Sequence, residues 1–140
     1  MNQPIPQGLY RPAVRYHDVI YTSGMTPRVQ GVLQYSGKIT AAYPLEHYQE
    51  AVKQATTNSL TAALALVQED EKITLILQLN VYINAAEDFL EHSKIADFAS
   101  ALLAEKLGEA SIGSRAAIGV ATLPSNAPVE IALVAGVSKI

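Results

Sequence analysis

The chain has no cysteine, no tryptophan and only two phenylalanines, and charged residues make up 16% of its 140 positions. Without cysteine there is no disulfide framework, no thiolate metal site and no cysteine nucleophile. Ten basic residues stand against thirteen acidic ones, for a formal charge of −3. No basic cluster stands out, so the footprint that phosphate binding requires is missing and no nucleic-acid partner is expected. No apolar run approaches the length needed to span a bilayer. The start, Met1-Asn2-Gln3-Pro4-Ile5-Pro6, lacks the basic and apolar regions of a secretory signal, so the expectation is a cytoplasmic protein with no membrane partner. His17, His47 and His92 are far apart, without the close spacing of metal ligands, and no metal is expected.

What is present is apolar. Hydrophobic residues make up 49% of the chain, enough for one compact domain over residues 1–140 with a real core. Residues 1–12 carry proline and glycine and read as an extended arm. Ala13–Arg15 and Val19–Ser23 read as short strands, with a further short strand around Val32–Gln34. Leu45, Tyr48, Val52, Ala55, Ser59, Ala62 and Leu66 recur at spacings of three and four, predicting a helix over 45–68 that stops near Glu69. Ile73, Leu75, Leu77, Leu79, Val81 and Ile83 alternate with polar residues, predicting a long strand with all six on one face. A second helix is predicted over 86–107, with Ile95, Phe98, Ala99, Leu102 and Leu103 as its buried stripe and Gly108 as its stop. Two strands close the chain. The order predicts an α+β fold: one mixed β-sheet with both long helices on one face. The last strand is apolar on both sides, so the sheet face away from the helices needs a cover, and another copy of the chain is the simplest one.

The C-terminal part carries the chemistry. Ser114-Arg115-Ala116-Ala117-Ile118-Gly119-Val120 is followed by a Leu123-Pro124 turn and Val129-Glu130-Ile131. Alternation places Arg115 with Ala117, Gly119 and Ala121, a floor of small side chains that leaves space beside a guanidinium suited to gripping a carboxylate. Glu130 continues its face with Ala132 and Val134, and a carboxylate on an apolar face needs a partner or a task.

These segments resemble the Rid (YjgF) family of enamine and imine deaminases. Tyr21-Thr22-Ser23-Gly24 with Pro27 is similar to a strand-end motif of that family, and the Arg115-to-Glu130 segment resembles its C-terminal signature. Met25 stands where many members have glutamine, Ser93 where an asparagine is frequent, and Ala117 where a cysteine is common. The resemblance implies a chorismate-mutase-like fold and a homotrimer with clefts between subunits. It also implies metal-free, cofactor-free hydrolysis of reactive 2-imino acids, such as 2-iminobutanoate and 2-iminopropanoate, to 2-oxo acids and ammonia. Carried over residue by residue, it makes Arg115 the carboxylate anchor and Glu130 the group that positions water. Ser23, Gly24 and Tyr10 become substrate-binding positions.

Each residue also has a plainer reading. Arg115 and Glu130 could form a structural ion pair. Ser23-Gly24 could be a strand-ending turn, and Tyr10 could be packing on the arm. Asn80 and Tyr82 read as interface or core-edge groups. Two function classes follow: an imine deaminase, or a member of the same fold that binds small carboxylates without turnover. Ribonuclease activity, described for some relatives, finds no support in the acidic charge.

Overall fold

In the computed structural model, residues 2–140 are described; Met1, the first residue of the expected arm, lies outside them. The strands are β1 (Ala13–Tyr16), β2 (Val19–Thr22), β3 (Arg28–Val29), β4 (Val32–Leu33), β5 (Glu71–Asn84), β6 (Ser114–Val120) and β7 (Val129–Lys139). The helices are α1 (Gln49–Leu64), preceded by a 3-10 turn at Leu45–Tyr48, and α2 (His92–Leu107). Five strands form one sheet in the order β1-β2-β7-β5-β6, in which β5 and β6 are parallel and the other pairs antiparallel. β3 and β4 form a separate hairpin whose turn residues Gln30 and Gly31 both have positive φ (51° and 81°).

Both helices pack on one face of the five-stranded sheet, α1 over β2 and β7, α2 over β5 and β6, and they touch each other. The core between the layers holds Ile20, Val81, Ile83, Val129, Ile131 and Leu133 from the sheet, with Val52, Ala55, Ile95 and Ala99 from the helices. The fold is the α+β arrangement that the pattern implied.

Two details depart from the sequence expectation. β5 does not keep a single alternation. Its register against β7 shifts between Ile73 and Leu75, and again between Ile76 and Gln78. At each shift one extra β5 residue is inserted, which turns the following side chains to the opposite face. Ile73, Ile76, Leu79, Val81 and Ile83 therefore face the helices, while Leu75 and Leu77 are exposed on the other face. The second departure is helix length. α1 ends at Leu64 and α2 begins at His92, because Ala85 bridges to Ile39 and residues 86–91 form a turn before the helix. α2 ends at Gly108, whose φ of 94° suits only a residue without Cβ, and whose N–H still donates to Ala104 O at 2.8 Å.

α1 is buried on more than the expected stripe; Thr56, Asn58 and Thr61 are buried along with it. The N-terminal arm explains part of this, since it folds back and the Gln3 side-chain amide donates to Thr61 O at 3.4 Å. Asn58 donates to the carbonyls of Thr26 and Arg28 at 3.0 and 2.8 Å, which fixes the start of β3 against the helix. No described helix is long and apolar enough to cross a membrane.

Candidate functional site

The end of β2 delivers Ser23 and Gly24, and the start of β7 delivers Glu130. Backbone hydrogen bonds in both directions between Met25 and Ile131, at 2.7 and 2.8 Å, lock these two segments side by side. Glu130 alternates with the buried Val129 and Ile131, so its side chain leaves the sheet on the face away from the helices. Gly24 makes room for it. A methyl group there would overlap the Glu130 side chain, lying 2.9 Å from Cγ and 2.7 Å from Cδ and closer still to Oε2.

Glu130, Gly24, Ser23 and Tyr10 line one cleft of about 560 Å³, together with Gln7, Thr26, Arg28, Pro124 and Ser125. Four of the five residues singled out in the sequence thus meet in one place. The hydrogen-bonding state of each decides what it can offer. Ser23 Oγ donates to Arg11 O at 2.6 Å, so its proton is taken and what it keeps for a ligand is acceptor capacity. Tyr10 accepts from the Gln7 N–H at 2.9 Å, which leaves its own O–H proton for a ligand. Glu130 is half-buried, and burial pushes its carboxyl above the usual carboxylate range.

Arg115 lies elsewhere. β6 pairs with β5 so that Arg115 is level with Leu79 on the helix side, whereas Glu130 is level with Tyr82 on the opposite side. Within one chain the two face away from each other across the sheet and do not form the structural ion pair that was the plainer reading. Arg115 is instead held by α2. Its Nη1 donates to Asp97 Oδ1 at 2.8 Å and Ser100 Oγ at 3.0 Å, and its Nη2 donates to Ser93 Oγ at 2.8 Å and Ser93 O at 3.3 Å. All four terminal N–H groups are occupied, leaving Nε–H. The floor of small residues beside it is covered too: Ala117 packs on the core, and His92 stands over Gly119.

Arg28 is the residue that sequence reading missed. It follows a proline in a segment read only for turn signals, and nothing local marks it. The β3–β4 hairpin brings it into the cleft with Glu130. Its Nε donates to Thr26 Oγ1 at 3.2 Å, Nη1 to Gly31 O at 2.8 Å, and Nη2 to Ser125 Oγ at 3.1 Å. Ser125 is presented by the loop after Leu123-Pro124, and that loop is tied to the end of β5 by Asn84. The buried Asn84 amide donates to Asn126 Oδ1 and Ala127 O at 3.0 and 3.1 Å, and accepts from Lys38 Nζ at 2.8 Å. Among the described residues no three His, Asp or Glu side chains group as a metal would require.

Residues 5–137 match the family described as "YjgF/chorismate_mutase-like, putative endoribonuclease". The chain belongs to this YjgF-like family. It is 30% identical over 129 residues to Protein TCP17 of Trypanosoma cruzi, a match spanning 86% of this chain and 79% of that one. Among solved structures it is similar to a Shewanella oneidensis protein called a "putative endoribonuclease", at 30% identity and a TM-score of 0.86, covering 97% of this chain and 90% of the other. Atu1372 of Agrobacterium tumefaciens, of unknown function, superposes with a TM-score of 0.83 at 28% identity, over 99% of this chain and 87% of that one. YjgF-like membership is therefore carried by nearly the whole chain, including both the Glu130 cleft and the Arg115 strand.

Proposed function

We propose that this YjgF-like chain hydrolyses reactive enamine and imine intermediates, converting 2-imino acids to 2-oxo acids and ammonia. The observation that carries the reading is the Glu130 carboxylate. It is half-buried, raised in basicity by desolvation, seated by Gly24 and open to a cleft whose other groups include a hydroxyl acceptor and a phenolic donor. A carboxylate so tuned is suited to general-base work on water near neutral pH. An imine carbon is already electrophilic, so orientation and a directed water supply most of what hydrolysis needs.

The steps balance simply. Water oxygen bonds to C2 as Glu130 takes its proton, and the imine π electrons move to nitrogen. Glu130 returns the proton to that nitrogen, giving a carbinolamine. It then takes the carbinol O–H proton and passes it to the amino nitrogen as the C2–N bond breaks, so that ammonia departs and the carbinol oxygen becomes the 2-oxo group. Ser23 Oγ can accept from the imine N–H, and the Tyr10 hydroxyl can donate to the carbinol oxygen as it loses its proton in the second step.

Arg115 is the proposed anchor for the α-carboxylate. Asp97, which it now grips, is two-thirds exposed and holds the place that a ligand carboxylate would take. Since Arg115 and Glu130 face opposite sides of one sheet, they can act on one molecule only when Arg115 comes from an adjoining copy. The uncovered sheet face supports such association: Val14, Tyr21, Leu77 and Ile118 are all exposed on it. Closed cyclic assembly hides such a face, and a homotrimer is proposed.

The test is ammonia release from imines generated in situ by an amino-acid oxidase, with light scattering run in parallel. Activity is expected in wild type and lost in Arg115→Ala. Arg115→Lys should fail nearly as badly, because a point charge does not reproduce two parallel hydrogen bonds. A monomer at micromolar concentration would refute the shared site. A wild-type protein inactive on every imine, yet binding 2-oxo acids, would make the chain a carboxylate-binding module instead.

A further inference from the structure

Of the arginines that are not fully exposed, two hold carboxylates. Arg15 is bidentate to Glu71 at 2.6 and 2.8 Å, and Arg115 grips Asp97 at 2.8 Å. Arg28 differs from both. It is half-buried, its three hydrogen-bond partners are all neutral, and among the described residues no carboxylate lies within ion-pairing distance of it. A guanidinium has five N–H donors, so two remain. Removing a charge from water without an opposite charge is costly, which makes an arginine in this state beside open volume a ligand-binding candidate.

The volume beside Arg28 is considerable. Besides the Glu130 cleft, Arg28 borders a second cavity of about 260 Å³ under the N-terminal arm. The two share Gln7, Tyr10, Gly24, Thr26 and Arg28, so they adjoin. In the arm cavity Arg28 is the one charged residue, set among the amides of Gln3, Gln54 and Asn58. Across both cavities Glu130 is the one acid, and it makes no ion pair with Arg28. The space therefore has a basic carboxylate at one point and an unpaired cation at another, with room between them.

We propose that Arg28 anchors a second carboxylate, so that the site takes 2-imino acids with an acidic side chain, and their 2-oxo dicarboxylate products, in preference to small aliphatic ones. This rests on the imine-hydrolase reading for the chemistry at Glu130; the binding preference itself does not depend on turnover. Thr26, Gly31 and Ser125 hold the guanidinium in place before the ligand arrives, and Asn58 holds the Arg28 carbonyl, so little ordering is needed on binding.

The experiment is isothermal titration of the full chain with 2-oxoglutarate and 2-oxobutanoate, which differ by the distal carboxylate. Wild type should bind the dicarboxylate about ten- to a hundredfold more tightly, as expected for a charge-assisted pair. Arg28→Gln should abolish that ratio while leaving 2-oxobutanoate affinity within about twofold. Ser125→Asp keeps Arg28 but gives it an internal carboxylate, and should abolish the ratio in the same way. Because Ser125 lies in an exposed loop, this variant tests the idea even if Arg28→Gln fails to fold. Equal affinity of wild type for both acids, no binding of either, or a ratio that survives Ser125→Asp would overturn the proposal. Ammonia release on the corresponding imines is read separately: a binding preference without turnover would leave the Arg28 assignment standing and remove the hydrolase reading.

Discussion

Gly24→Ala is the sharpest probe of the Glu130 site, because it touches catalysis through a single methyl group. The added Cβ would lie 2.9 Å from Glu130 Cγ and 2.7 Å from Cδ, against an ordinary carbon contact of about 3.5–4 Å. The overlap is with a flexible side chain, so Glu130 can swing to another rotamer and the backbone need not move. A rotamer change displaces a carboxylate by more than 1 Å, and misplacement on that scale costs on the order of a hundredfold in rate. Stability should change little. Gly24 does not have positive φ, so alanine gains about 0.4–1 kcal/mol through the unfolded chain. The displaced rotamer takes back about 0.5–1.5 kcal/mol. The expected result is ammonia release slowed about a hundredfold, with a melting temperature within a few degrees of wild type. In a Glu130→Gln background the same substitution should add almost nothing, since the group it displaces no longer acts as a base. Full activity in Gly24→Ala would show that the position of Glu130 does not matter, and the base assignment would fall.

Glu130→Gln itself should keep ligand binding and slow turnover. Burial raises the Glu130 carboxyl, and only the ionised form accepts a proton from water. The rate should therefore rise with pH along a limb centred above the ordinary carboxylate value and absent from the Glu130→Gln profile. A second titration concerns stability. The Arg15 guanidinium holds Glu71 down to about 2, against an ordinary 4.5. A depressed carboxyl stabilises the fold fully above its unfolded value and loses that contribution as pH falls towards the folded one. Thermal melts should show Glu71→Gln less stable than wild type at neutral pH, with the gap closing between about 4.5 and about 2. A gap that does not change with pH would contradict the pairing.

The sequence by itself determined the order and type of the main elements, and the two helices on one face of a mixed sheet. Periodicity is a local property, and an apolar stripe must find the same kind of partner wherever it lies. It also picked out Tyr10, Ser23, Gly24 and Glu130, which meet in one cleft because the Met25–Ile131 pairing joins the end of β2 to the start of β7. The tertiary structure decided the rest. An unbroken alternation from Ile73 to Ile83 gave no warning of two bulges, since a bulge is set by the register of the partner strand; it turned Leu75 and Leu77 away from the core. Alternation gave the neighbours of Arg115 and Glu130 within each strand but not the side of the sheet each would take, because that depends on pairing to β5. Arg28 had no signal at all. Its role rests on which partners it lacks, and a missing counter-charge can be seen only once the hairpin, the arm and the Ser125 loop are folded around it.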